Sequence, residues 1–197
     1  IVEMVGVPPS ENNVPDEYWL ALIVALAAML RPEIEKIAIA SAAANMGSGA
    51  LDWVEVLDHI SDWAAQQART AAEQIVATTR SKVRAKITAI IATVGRTIAE
   101  LAQDLAAWFG RARATNIAIT EVTGAAAAGA MILAGFAASA RMVADERWHT
   151  VRDEISMMCP ICGPNEGKLK SQGWTVDSPR NTHNRCRCWT TVEWRRA

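Results

Sequence analysis

All four cysteines of the chain lie within thirty positions near its C-terminal end, and one histidine lies among them. The order is Cys159-x2-Cys162, a loop of twenty residues, and then His183-x2-Cys186-x-Cys188. Two close sets of soft ligands separated by a loop are typical of a closed, tetrahedral zinc site. The spacing therefore predicts a small module that is held together by a structural metal ion.

Five candidate ligands compete for four positions in such a site. Cys159 and Cys162 are the firmest pair, and His183, Cys186 and Cys188 compete for the other two places. Spacing alone does not separate a site with four cysteines from one with three cysteines and the histidine. Two disulfides, joining 159 to 162 and 186 to 188, are the alternative in oxidising surroundings. The absence of cysteine elsewhere and of a signal peptide favours reduced thiols.

A catalytic zinc ion is not expected. A zinc deaminase needs His-x-Glu before Pro-Cys-x-x-Cys, whereas Val151 stands two residues after His149. A full set of protein ligands also leaves no open position for water. No Ser/His/Asp or paired-carboxylate arrangement stands out elsewhere, so we expect a protein that is not an enzyme.

The C-terminal segment is also basic, with seven Lys and Arg residues against three acidic ones from Cys159 onward. Several of these arginines lie beside tryptophans, a combination that suits nucleic acid. The candidate nucleic-acid contacts are Arg185, Arg187, Arg195 and Arg196.

Upstream, the composition is typical of helices: alanine and aliphatic residues dominate, and tryptophan supplies most of the aromatic bulk. Residues 1–15 contain three prolines and are predicted to form an extended arm. Residues 16–147 are predicted to form an α-helical body, and 148–197 a small β-rich module that binds metal. The expected fold class is mainly α: a long-helix bundle with a C-terminal zinc-knuckle-like module, an α+β arrangement.

Within the body, the apolar run after Asp16 predicts a buried helix that stops at Arg31-Pro32, followed by a second short helix. Apolar residues at three- and four-residue steps between Leu51 and Phe109 predict long amphipathic helices. We place a break between them at Thr78-Thr79, because β-branched residues with hydroxyls favour helix caps. Long helices of this kind suit packing against copies of the chain or a partner.

Residues from Val122 to Ala140 are uncharged, long enough to raise the alternative of a membrane span. Nine of them are alanine and three are glycine, so transfer into lipid would be weakly driven. We therefore interpret this segment as a tightly packed helix of a bundle, with membrane insertion as a second choice.

Several segments, taken in order, resemble the Mu F-like family of phage head morphogenesis (minor head) proteins. They are the helical T-E-V-T-G-A-A-A-A-G from Thr120, Trp148, C-P-I-C-G-P-N-E-G-K from Cys159, and H-N-R-C-R-C from His183. The resemblance covers roughly residues 70 to 192. It departs at Ile119, where the family often has arginine, and before His183, where it commonly has two prolines; no role of that arginine is carried over.

The resemblance implies a structural virion protein of a tailed bacteriophage, in the head or at the portal vertex and in host cytoplasm during assembly. Its implied partners are the portal or the major capsid protein, with roles in head assembly and in DNA packaging or delivery. It also implies a zinc-like site at the four cysteines and His183. Two alternatives stay open: a zinc-knuckle nucleic-acid-binding protein, and an ejection protein that meets the membrane through 122–140.

Overall fold

The computed structural model describes residues 14–47, 51–93, 97–137 and 140–196. Four long helices precede a small C-terminal sheet: α1 (Asp16–Ala44), α2 (Trp53–Ile91), α3 (Ile98–Trp108) and α4 (Arg111–Gly135). Strand β1 (Met142–His149), the short helix α5 (Glu154–Met158) and strand β2 (Trp189–Arg196) follow. The predicted fold class, mainly α with a small β-containing C-terminal module, is confirmed.

The chain divides into two compact units that cut across the long helices. One unit holds the described residues through Leu30 together with Ala68–Thr115, and the other holds Arg31–Gln67 with Asn116–Ala197. Of the predicted arm at 1–15, only Val14 and Pro15 fall among the described residues. Val14 is buried in the first unit, and the Pro15 carbonyl accepts a hydrogen bond from the Tyr18 N–H.

The core of the first unit is built from α1, α2 and α3. Its buried members are Val14, Trp19, Val76, Val83, Ile87 and Leu105. The predicted burial of the N-terminal helix is only half right, because Leu20, Val24 and Met29 are exposed. Helix α1 is therefore buried along only part of its surface among the described residues.

Two predicted helix breaks are wrong. Helix α1 continues through Pro32, because apolar burial on both sides of it, at Trp19 and at Ile34, outweighs the lost backbone hydrogen bond. Helix α2 continues through Thr78 and Thr79, whose hydroxyls donate back to carbonyls of the preceding turn, including that of Ile75.

The break instead comes after Ile91. Helix α3 begins at Ile98, with Thr97 as its N-cap and Glu100 completing a capping box: the Glu100 N–H donates to Thr97 Oγ1 (3.3 Å), and the Thr97 N–H donates to Glu100 Oε2 (2.7 Å). It ends at Trp108, just before Gly110.

In the second unit, α4 packs closely against α1. A Cβ atom added to Gly129 would lie 2.1 Å from the Ala38 carbonyl oxygen, and the Ser41 hydroxyl donates to the Ala126 carbonyl at 2.6 Å. The interpretation of the Val122–Ala140 segment as a tightly packed helix is confirmed for its described part through Gly135. By length and composition, the described residues contain one stretch able to span a membrane, Ala102–Gly135, with 39% of its apolar window buried.

Strands β1 and β2 form a two-stranded antiparallel sheet, with Met142 opposite Arg196 and His149 opposite Trp189. The sheet starts at Met142, earlier than the change of character that the sequence suggests near Trp148. Asn45, at the end of α1, binds β2 twice: its side-chain oxygen accepts from the Val192 N–H, and its carbonyl accepts from the Trp194 indole. The loops between β1 and β2 carry the cysteines.

Candidate metal centre

The first pair of candidate ligands lies on a tight turn after α5. Asp153 caps this helix by accepting the Ser156 N–H at 2.8 Å, and Cys159 is the residue at its C-terminal end. The Cys162 N–H then points at the Cys159 sulfur, 3.4 Å away, and the Gly163 N–H donates to the Cys159 carbonyl. This is the expected knuckle turn, in which backbone amides face a thiolate.

Gly163 is required where the turn meets α5. A Cβ atom at this position would lie 2.2 Å from the Met157 carbonyl oxygen. The glycine after the second cysteine therefore lets the chain pass close to the helix and brings both sulfurs to one side.

The second set of ligands lies on an irregular turn before β2. The Cys186 N–H donates to the His183 carbonyl at 3.2 Å, and Arg185 has the left-handed φ of 66°. Cys186 and Cys188 lie before β2, which begins only at Trp189. Both cysteines are buried, while Arg187 between them is partly exposed.

Helix α4 holds this second turn in place. The Thr120 hydroxyl accepts the Arg185 N–H at 2.9 Å, and the Thr123 hydroxyl lies 2.7 Å from the Cys186 carbonyl, to which it can donate. Sequence reasoning missed both threonines as parts of the site. The only available signal was their place in the T-E-V-T segment of the family resemblance, which says nothing about what they contact.

The five predicted ligands come together in two groups that share Cys162. The ligand atoms of Cys159, Cys162 and His183 lie within 4.8 Å of one another, as do those of Cys162, Cys186 and Cys188. His183 Nε2 is 3.4 Å from both the Cys159 and the Cys162 sulfur, and the sulfurs of Cys162 and Cys186 are 3.8 Å apart. The cluster is therefore able to bind a metal ion.

These distances fit a tetrahedral ion. With Zn–S bonds of ~2.3 Å and Zn–N bonds of ~2.0–2.1 Å, tetrahedral angles put two sulfurs ~3.8 Å apart and sulfur and nitrogen ~3.5 Å apart. The separations of Cys162 from Cys186 and of His183 from both its sulfur neighbours match these values. All four cysteines are free thiols in this structure.

His183 is oriented as a ligand would be. Its Nδ1 lies 2.9 Å from the Asn184 carbonyl, to which it can donate, and this leaves Nε2 facing the sulfurs. The same backbone hydrogen bond raises the pKa of His183. A proton therefore competes with metal for Nε2, and binding should weaken as the pH falls.

The thiols differ in the ease with which they ionise. A hydrogen bond from Cys188 lowers the pKa of Cys186 to about 5, whereas burial raises the pKa of Cys162 to about 12. The hydrogen bond to Cys186, together with burial, raises the pKa of Cys188. Burial alone would raise the pKa of Cys159, but the backbone N–H groups of Cys162 and Ile161 outweigh it and lower that pKa. Cys188 is thus the thiol that keeps its proton beside a thiolate.

A small apolar and polar core surrounds the cluster. Trp148 is fully buried against three of the cysteines, and its ring meets that of Trp174 edge to face at 5.2 Å. Asn165, also fully buried, donates to the Ile161 carbonyl and binds Thr175. Asn165 was also missed by sequence reasoning, since a lone asparagine after a glycine and a proline predicts no more than a turn.

The four arginines predicted to contact nucleic acid lie on the turn before β2 and on β2 itself. Arg185 is exposed, and Arg187 is paired with the Asp153 carboxylate. Arg195 lies on β2 opposite Val143, and the side chain of Arg196 lies outside the described residues. Only Arg185 stands beside the cluster without an ion-pair partner in the described part of the chain.

Comparison with known proteins finds no matching family model, no matching curated protein and no matching solved structure. The site must therefore be interpreted from its own geometry and from the motif resemblance.

Proposed function

We propose that this chain is a structural minor head protein of a tailed bacteriophage, without enzymatic activity, that acts at the portal during head assembly. One observation carries the proposal: two of the segments that carry the resemblance lie against each other. The T-E-V-T segment on α4 contacts the H-N-R-C-R-C turn through Thr120 and Thr123. Both segments resemble the same family, are distant in the sequence and meet at one site. This supports a common ancestry of the site with that family.

The metal at this site is proposed to be zinc, with a structural role. Thiolate and imidazole ligands suit zinc. Cys159, Cys162 and His183 supply three of the ligands, since His183 Nε2 lies 3.4 Å from both sulfurs, and Cys186, whose sulfur is 3.8 Å from that of Cys162, is proposed as the fourth. Cys188 then lies beside Cys186 without binding the metal. With four protein ligands the ion has no open position for water, in keeping with stabilisation rather than catalysis.

Zinc supplies much of the folding free energy of the C-terminal module in this account. A module with one two-stranded sheet and a short helix has too little core to fold alone, and metal binding is coupled to folding in such cases. The exposed apolar residues Leu20, Val24 and Met29 of α1 suit contact with a portal subunit, a capsid subunit or another copy. The proposed location is the virion, with host cytoplasm during assembly.

The test is co-assembly with the portal of the phage that encodes the chain. The full chain and the portal are expressed together, and portal oligomers are purified through a tag on the portal. We expect the chain to co-purify, and Val24→Asp to reduce the amount recovered while zinc content stays unchanged. A chain that stays monomeric and ignores portals and procapsids would contradict the proposal.

Nucleic-acid binding by the module is the second candidate. The exposed Arg185 favours it, as does Trp189, which is 39% exposed and stacks on His149. If it is right, single-stranded DNA binds with strong salt dependence, and Arg185→Ala weakens binding more than Arg69→Ala on α2 does. Binding that salt does not affect would exclude this candidate.

The ejection candidate draws on the apolar stretch Ala102–Gly135. Its prediction is that the full chain permeabilises lipid vesicles. The close packing of Gly129 against Ala38 opposes it, because α4 would have to leave that contact to enter a bilayer.

A further inference from the structure

An open apolar groove lies in the first compact unit, far in sequence from the cysteines. It has a volume of about 500 Å³ and is formed by residues of α1, α2 and α3, with Phe109 and the start of α4. Its apolar walls include Leu22 and Leu26 of α1, Ile75 of α2 and Leu105 of α3. The volume lies within the ~300–1,000 Å³ of most small-molecule sites.

Arg113 is the one charged residue in the lining of this groove. Its guanidinium carbon is 3.9 Å from the centroid of the Trp108 ring, a stacked cation–π contact. Its Nη2 donates to the Ile75 carbonyl at 3.1 Å and to the hydroxyls of Thr78 and Thr79 at 3.1 and 2.9 Å. The guanidinium is therefore held in one orientation before any ligand arrives.

The charge of Arg113 has no anionic partner in the described part of the chain. None of the residues that line the groove is acidic. Two nearby carboxylates of the same unit are committed elsewhere, since Asp16 binds Arg80 and Asp104 binds Lys86. Burial lowers the pKa of Arg113, as expected for a cation that has lost part of its hydration without gaining a counter-ion.

The side-chain hydrogen bonds that Arg113 makes within the described part of the chain all come from Nη2, so the N–H groups on Nε and Nη1 are left for a ligand. A guanidinium with free N–H groups matches a carboxylate. The apolar walls match a hydrocarbon tail. A whole helix, ~10–12 Å across, is a poorer match to a groove of this volume.

We propose that the groove binds a small amphipathic carboxylate, with its tail against Leu22, Leu26 and Leu105 and its head group on Arg113. This ligand class does not depend on the metal site or on the proposed portal role. The groove thereby gives the first compact unit a binding function of its own.

The test is calorimetric titration of the full chain with laurate. Dodecyltrimethylammonium, which has a tail of the same length and the opposite charge, is the matched ligand control. We expect laurate to bind at one saturable site and the ammonium compound to show no such binding. Equal binding of the two would overturn the proposal, as would no binding of laurate.

Two variants test the residues. Arg113→Gln should weaken laurate binding at least about tenfold, because a charge-assisted hydrogen bond is lost. Arg111→Gln, the same change at an exposed position on the same helix, should leave binding unchanged. Ala102→Phe, which keeps Arg113 but fills the groove, should abolish binding. Wild-type affinity in Arg113→Gln or in Ala102→Phe would overturn the assignment.

Discussion

At the scale of single residues, the role of Cys188 distinguishes a metal site with four cysteines from one with three cysteines and His183. We predict that Cys188→Ser still binds Co²⁺ in place of zinc and keeps the absorption typical of tetrahedral cobalt with thiolate ligands. His183→Gln and Cys159→Ser should lose or strongly weaken it, because they remove ligands. Visible absorption spectra of the wild type and these three variants are the measurement. Loss of metal in Cys188→Ser with retention in His183→Gln would mean that all four ligands are cysteines.

Glu166 makes the stability of the C-terminal module depend on pH in the acid range. Burial alone would raise its pKa, but hydrogen bonds from Arg152 (2.7 Å) and from the Thr150 N–H (2.6 Å) outweigh burial and lower it. A carboxyl whose pKa is lower in the folded state stabilises the protein fully above its unfolded pKa of ~4.3. That contribution is lost as the pH falls through the folded pKa.

We therefore predict that Glu166→Gln destabilises the protein at pH 7, and that its difference from wild type shrinks as the pH falls below about 4. Urea unfolding of both proteins across this pH range measures the difference, and loss of metal in acid cancels because it affects both. A difference that does not change with pH would show that the Glu166 charge contributes nothing.

At the scale of elements, the contact between α4 and α1 depends on one glycine. Gly129→Ala places a Cβ atom 2.1 Å from the Ala38 carbonyl oxygen. The nearest atoms are all backbone atoms of Ala38, so the helices must separate. We expect the free energy of unfolding to fall by about 1–3 kcal/mol. Gly135→Ala, with no atom within 4 Å of the new methyl group, should be neutral or slightly stabilising. Thermal unfolding of the two variants tests this, and equal effects would argue against close packing.

The second prediction at this scale concerns the hydrogen bond from the turn that carries Cys186 to α4. Thr120→Val removes the acceptor of the Arg185 N–H, at a cost of about 1 kcal/mol because Arg185 is exposed and water can partly replace the hydroxyl. Chelator competition should show weaker zinc binding. The control is Thr115→Val. The Thr115 hydroxyl donates to the Arg111 carbonyl of the same helix, so this variant should bind zinc as the wild type does. If the two variants bind equally, α4 does not support the site.

At the scale of the whole molecule, local chemistry was predictable and long-range contact was not. Ligand spacing predicted the convergence of Cys159, Cys162 and His183, because close pairs must face one ion. Helix propensity gave the mainly helical fold class. Helix propensity misplaced the helix breaks at Pro32 and at Thr78-Thr79, because it does not include the burial beyond Pro32 or the hydrogen bond of the Thr79 hydroxyl.

The contacts of Thr120 and Thr123 with a turn more than sixty residues away follow from the fold and have no periodic or spacing signal. The groove around Arg113 is of the same kind, because its walls come from separate helices. Contacts without a spacing signal therefore needed the structure, whereas the cysteine and histidine ligands, which have one, did not.

The most direct test is the metal content of the full chain, purified without added zinc and measured by mass spectrometry beside Cys159→Ser and Cys186→Ser. The account predicts about one zinc ion per chain, lost in both variants together with protection of the C-terminal module from proteolysis. A chain without metal, whose thiols resist alkylation until they are reduced, would contradict it and would replace the metal site with disulfides.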